Sequence, residues 1–250
     1  DKPTDNYWVQ YHKDNTSGVW QEIAKPGQTD TFDASTLPHR LVRTGVNQFT
    51  FAPILWDNRE CGDDITVPLP SFITSTINDT FFYKNRLGFL SGENLILSRT
   101  SDFFNFFPQS ATAVLDDDPI DLSVSTNEVS LLYHAIPFNT YLLAFGNQQQ
   151  FQISAGNTAT FTAKSITADV TTKFATSAYC KAVGVGSNVY FVSPKGSQSS
   201  IKEYFVQSGS LTNDAADVTA HVSKLLPKNI HKLTASSAID AVVALSYDTP

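Results

Sequence analysis

The sequence predicts an all-β protein: a β-propeller-like array of antiparallel blades, incomplete within this chain. The first observation is a recurring hairpin pattern. Leu87–Leu90 and Leu95–Leu97 flank the turn-forming tetrad Ser91-Gly92-Glu93-Asn94, as the two arms of an antiparallel hairpin do. Equivalent pairs follow at Tyr141–Phe145 with Gln150–Ile153, Lys181–Val185 with Val189–Val192, and His231–Ser236 with Ala241–Ser246. The second observation is their spacing, roughly 40 to 55 residues from start to start, which fits one hairpin per propeller blade with further strand material between. The third is composition. Phe is the commonest aromatic, and Asp, Asn, Ser and Thr fill the gaps between apolar runs, a balance of strands and turns.

Two regions are expected within one continuous β architecture: a β-rich segment over 1–76 that includes a long loop, and the blades over 77–250. In the first, Tyr7–Val9 and Gly18–Glu22 read as strands around the polar turn Lys13–Ser17, with Trp8 and Trp20 packed across the hairpin. Pro26-Gly27 marks a turn, and a second hairpin runs from Leu41–Arg43 through Thr44–Asn47 to Gln48–Ala52. Ile54–Pro70 reads as a long irregular loop of the kind that is functional or contacts a partner, and order resumes at Ser71–Ile73.

In the second region, Phe81-Phe82-Tyr83 is an aromatic strand leading into the Asn85–Arg99 hairpin. Within it Leu87, Phe89, Leu95 and Leu97 are expected to be buried, with Gly88 and Gly92 allowing close approach or positive φ. Ser101–Pro108 is the most aromatic run, read as a turn whose rings fill the gap between two blades. Ser110–Val114 reads as a strand, Asp116–Asp121 as a solvated acidic turn, and Val129–His134 as a short helix or a buried strand. Gly156-Asn157 is a turn, and Thr160–Thr162, Ser165–Val170 and Thr171–Ala175 are strand-like. Pro194–Ser197 is a loop, Lys202–Val206 a strand, and Asp214–His221 one helical turn.

Charge and cysteine content exclude several functions. The formal net charge of −7 opposes a sequence-independent grip on nucleic acid, which depends on Lys and Arg neutralising phosphates. Cys61 and Cys180 are far apart, so neither a disulfide framework nor a multi-cysteine zinc site is read, and reduced thiols are expected. No apolar run approaches membrane-span length. The start at Asp1 and the absence of Met read as a piece of a longer polypeptide.

The candidate chemical constellations are weak. Asp116, Asp117, Asp118 and Asp121 are the one gathering of carboxylates, without the Gly and ligand spacing of a calcium loop or the paired geometry of a glycosidase. His12, His39, His134, His221 and His231 are scattered. Asn15-Thr16-Ser17 and Asn78-Asp79-Thr80 match the glycosylation sequon, a pattern common by chance, and Gly184-Val185-Gly186 is a strand end without the rest of a dinucleotide fingerprint. No catalytic, cofactor-binding or metal-binding residue is therefore assigned, and no cofactor is expected. Arg86 and Arg99 bracket the central hairpin and are expected on one rim, paired with carboxylates drawn from Glu93, Asp102 and Asp116–Asp118.

From Asn85–Arg99 through Asp102–Phe107, the sequence resembles the tail tubular protein B family, the nozzle proteins of short-tailed bacteriophages. The resemblance continues through Leu115–Asp121, His134–Asn139, Gln150-Phe151, Gly186–Phe191, Glu203-Tyr204 and Asp214–His221, and includes Asp33–His39 near the start. Because the family's proteins are longer, the chain resembles their central propeller-like part, without a complete N-terminal platform or tail tip. The resemblance implies a non-enzymatic component of the virion tail, made in the host bacterial cytoplasm. It further implies a hexameric ring around the DNA ejection channel, contact with the tail adaptor protein and tail fibres, and viral DNA that passes without specific binding. An acidic wall would repel phosphates in such a channel. The competing reading, from the enzyme class, is a glycan-binding or polysaccharide-degrading tail protein using the acidic and aromatic surface around Phe103–Asp121.

Overall fold

The computed structural model describes residues 7–13, 16–124, 126–156, 160–207 and 212–247. Two free-standing ribbons come first: β1 (Trp8–Lys13) with β2 (Gly18–Ile23), and β3 (His39–Gly45) with β4 (Gln48–Pro53). The irregular stretch from Ile54 onward ends in a short 3-10 turn at Ser71–Thr74. Three four-stranded antiparallel sheets follow in sequence. They are β5 (Ile77–Tyr83), β6 (Arg86–Ser91), β7 (Asn94–Leu97) and β8 (Ile120–Ser123); then β9 (Leu132–Phe138), β10 (Tyr141–Gly146), β11 (Gln150–Ser154) and β12 (Thr167–Thr172); then β13 (Val183–Val185), β14 (Asn188–Lys195), β15 (Gln198–Val206) and β16 (Asn213–Asp217). A two-stranded sheet, β17 (Ile230–Ser236) with β18 (Ala241–Ser246), closes the described chain.

Each four-stranded sheet is a meander whose strands pair in chain order, the construction of a propeller blade. The first strands of successive blades run side by side, β5 beside β9, β9 beside β13 and β13 beside β17. Tight turns join the strands where the chain takes positive φ, as at Lys84 and Asn85 between β5 and β6 (49° and 59°), the requirement of a primed hairpin turn. Gly92 supplies it between β6 and β7 at 59°. A Cβ at Gly88 would run into the Phe81 ring and the Leu97 side chain, so the missing side chain lets these two pack over the strand.

The cores lie between blades, which explains why the central strands are apolar at nearly every position. Leu90, Leu95 and Leu97 of the first blade pack against Ala135, Leu142 and Ala144 of the second. The opposite face of β10, Tyr141, Leu143 and Phe145, packs against Val189, Phe191 and Tyr204 of the third. Val192 and Ile201 then meet Ile230 and Leu233 of the final pair. Alternate residues along one strand thus feed two different cores. Phe89, Leu95 and Leu97 are fully enclosed and Leu87 is buried, as expected.

Several local expectations are corrected. Trp20 stands opposite Tyr11, with ring centroids 5.2 Å apart, while Trp8 faces Ile23, because β1 extends to Lys13 and shifts the pairing. Asp14 and Asn15 of the expected turn, with the sequon that begins there, lie outside the described residues, as does Asn157. Ser110–Val114 is not a strand, for Ser110 and Ala111 bond the Glu22 carboxylate instead of a ladder neighbour. Thr160–Thr162 leads into a turn in which the Thr162 carbonyl accepts from the Ser165 and Ile166 amides. Pro194 and Lys195 belong to β14, and the turn falls at Gly196. Asp214–Asp217 is strand, not helix; the 3-10 turn comes later, at Ala220–Val222. The small, helix-favouring alanines of β16 are overridden by pairing with β15. The Val129–His134 ambiguity resolves as strand, beginning at Leu132.

Candidate functional site

The Asn85–Arg99 hairpin anchors a polar collar at the base of the first blade. Arg86, the first residue of β6, is almost fully buried, and its guanidinium donates to the carbonyls of Ser98 (2.7 Å), Asp118 (2.6 Å), Asp116 (3.1 Å) and Asp117 (3.3 Å). The expected carboxylate pairing is therefore wrong for Arg86: it collects backbone oxygens, using the planar spread of its donors. Arg99 does pair as expected. Its Nη2 lies 2.6 Å from the Asp117 carboxylate, with Asp102 at 4.0 Å, and the Arg99 hydrogen bond holds the Asp117 carboxyl below the usual range. Glu93 is not a partner; its carboxylate accepts the Ser130 amide at 2.7 Å.

The acidic cluster is dispersed into separate structural tasks, and one member contradicts the solvated-turn reading. Asp118 is buried and accepts backbone amides from Leu115 (2.7 Å) and Gln109 (3.2 Å). Asp121 lies in β8 and accepts the Ser71 amide at 2.8 Å, tying the 3-10 turn to the first blade. Carboxylate oxygens taken up by backbone amides of their own chain are structural ties, and they do not form the facing pair across an open sugar site that glycoside chemistry needs.

The aromatic run also finds a different role. Phe106 stacks on Phe89 at 5.3 Å and meets Phe72 at 5.1 Å, with Trp56 at 6.1 Å from Phe89. Leu37 and Phe32 complete the cluster. These rings fill the space between the first blade and the preceding irregular segment, not between two blades, because the outer face of β6 and β7 has no preceding described blade to meet. Phe103 is the outlying member, at 5.5 Å from the exposed Phe82.

A second polar knot fastens the blades to one another. Lys181 Nζ lies 2.6 Å from Asp79 of β5, and the same carboxylate accepts the Ala135 amide of β9 at 2.9 Å. One side chain thereby links the first strands of two blades and the lead-in to a third. Beside it, buried His134 makes a 2.9 Å hydrogen bond with the Ser177 carbonyl, and burial lowers its pKa. Buried Gln150 bonds Thr172, Phe174 and Thr176, so both ends of its amide are satisfied. Sequence reading missed Asp79, Lys181 and Gln150; their only signal is a polar residue interrupting an otherwise apolar strand or leading into one.

Across residues 1–250 the sequence matches the family model described as bacteriophage nozzle protein. The chain belongs to that family. It is 42% identical over 250 residues to tail tubular protein gp12 of Escherichia phage T7, covering 100% of this chain and 31% of that relative. This nozzle-family chain therefore spans about a third of the length of the curated relative it matches.

The remaining chemical candidates of the nozzle-family chain are separated in space. Cys61 and Cys180 are buried free thiols, and burial pushes them up to about 12 and about 11, where little reactive thiolate forms at neutral pH. His39 stacks on Phe51 and His231 on Tyr247. Among the described residues no group of three or more His, Cys, Asp or Glu side chains could hold a metal ion, and no helix is long and apolar enough to cross a membrane.

Proposed function

We propose that this chain is the propeller-like part of a tail nozzle, a structural component of the virion that works by assembly and performs no catalysis. The observation that carries the reading is the nozzle-family match over the whole chain. The chemistry of the collar supports it: Arg86, Arg99, Asp117, Asp118 and Asp121 bond within the chain and tie loops to the first blade. In this reading, residues 1–76 form a β-rich lead-in and 77–250 the blades. Copies form a hexameric ring around the DNA ejection channel, joined to the tail adaptor and tail fibres. The protein is made in the host cytoplasm and carried in the tail. The negative balance of the chain keeps DNA from adhering to the wall.

The glycan-degrading alternative gains no support from Phe103–Asp121, where Asp117 is engaged with Arg99, Asp118 and Asp121 with backbone amides, and the inner rings are buried. The test is electron microscopy of purified tails labelled with an antibody to this chain, together with sizing of the protein mixed with its adaptor. Label on the tail axis between adaptor and tip is the expected result. A protein missing from tails, or one that cleaves capsular polysaccharide, would refute the proposal.

A further inference from the structure

The ribbon formed by β3 and β4 is the least covered sheet among the described residues. Nearly every residue in both strands is exposed, including Leu41, Phe49 (60%) and Phe51 (70%). A lone two-stranded hairpin with apolar side chains in water is marginal, and contiguous exposed apolar surface marks an interaction site. The ribbon is also electrically distinct. From Leu37 to Trp56 the sequence contains Arg40 and Arg43 and no Asp or Glu, although the whole chain carries −7. Its complement is therefore an acidic surface with apolar side chains, and such a surface exists on this same chain.

That surface lies on the irregular loop and the aromatic turn. The Asp57 amide donates to the Phe104 carbonyl at 3.1 Å, which holds the loop against the Asp102–Phe104 turn. Asp57 and Asp102 stand there with Leu55 (80% exposed) and Phe82 (62% exposed). Arg99, the nearest cation, is engaged chiefly by Asp117 at 2.6 Å and reaches Asp102 only at 4.0 Å. Burial, and then the charge of Asp102, raise the Asp57 carboxyl above its ordinary value, so a cation from outside would favour the ionised form of Asp57.

We infer that the β3–β4 ribbon of one copy docks on the Leu55–Asp57–Asp102 patch of the next through the face that carries Leu41, Arg43, Phe49 and Phe51, with Arg43 facing the carboxylates and Phe49 and Phe51 facing Leu55 and Phe82. The two surfaces are different, so the contact is head-to-tail, the kind that closes into a ring. The inference rests on the ring reading above and names the surfaces that ring would use. It also gives a role to the long loop, of a length typical of functional or partner-contacting segments.

The test is sedimentation velocity on the chain and two charge-reversed variants, R43E and D57K/D102K. The wild type is expected to assemble beyond the monomer and to do so less at high salt. Each variant alone loses assembly, because each sets like charges against one another. A one-to-one mixture regains it, since alternating copies present opposite charges at every contact. The variant F49S, whose change is confined to an exposed position, also loses assembly while keeping the wild-type melting temperature. Wild-type assembly that persists in all three variants overturns the ribbon inference and leaves the ring standing. A wild-type chain that remains monomeric overturns both.

Discussion

Replacing Arg86 by Met removes the charge at the centre of the collar and keeps most of the side-chain volume. Two effects oppose each other. Met escapes the cost of holding a guanidinium in a buried site, a penalty of several kcal/mol for an ion taken from water. It also strands the carbonyls of Ser98, Asp116, Asp117 and Asp118 that Arg86 serves in the native protein. The bonds to Ser98 and Asp118 are the shortest, at 2.7 and 2.6 Å, and both are buried. Each orphaned buried acceptor costs about 1–3 kcal/mol, and water reaching the more open Asp116 and Asp117 carbonyls reduces their share. Those two losses, with part of the others, outweigh the desolvation relief, leaving a net destabilisation of about 3 kcal/mol. In a chain of this size that corresponds to a fall in Tm of about 6–12 °C. Arg86→Lys should recover only part of it, because an ammonium cannot spread its donors over four oxygens. Differential scanning calorimetry of the three proteins measures this directly. R86M within 1 °C of wild type would show that the collar closes through its loops and that the arginine is dispensable.

Three further outcomes follow from the geometry. Phe89→Ala, at a fully enclosed ring touching Phe72, Phe106 and Trp56, should cost about 3–5 kcal/mol in urea unfolding; a change under about 1 kcal/mol would mean that the aromatic cluster collapses into the vacancy. His134 is buried with a lowered pKa, so the unfolded chain binds its proton more readily and stability falls as pH drops below His134's unfolded value toward its folded one. His134→Gln should flatten that part of the stability profile, read from urea midpoints at successive pH values, and an unchanged slope would assign it to other groups. Cys61 and Cys180 should react with a thiol reagent only as fast as the protein opens, with rates rising in denaturant; rapid labelling of the native protein would contradict their burial.

The legible part of this fold is the part governed by local pattern. Hairpins such as Leu87–Leu97 and Val183–Val192 announce themselves because a glycine turn at positive φ, Gly92 or Gly186, sits between apolar runs, and both signals lie within a few residues. The errors fall where a distant group decides. Ser110 and Ala111 are drawn out of strand geometry by Glu22, 88 and 89 residues away. Asp214–Asp217 carries helix-favouring alanines and becomes strand only because β15 offers an edge. At the site, the Arg99 pairing was readable from nearby opposite charge. The Arg86 arrangement was not, since backbone carbonyls leave no mark in a sequence and only the folded turn at 116–118 brings them together.

The knot at Asp79 bears on the order in which the molecule folds. Each meander pairs neighbours in the chain, so a blade can form as soon as its own strands are available, with little loop entropy to overcome. The Lys181–Asp79 contact is different, because it joins residues 102 positions apart. It can close only after two complete blades and the approach to the third have been made. Interactions formed so late are absent from the rate-limiting step of folding and act chiefly on the rate of unfolding. The pin is thus a latch on lifetime: Lys181→Met should leave refolding speed nearly unchanged and shorten the time for which a finished molecule stays closed.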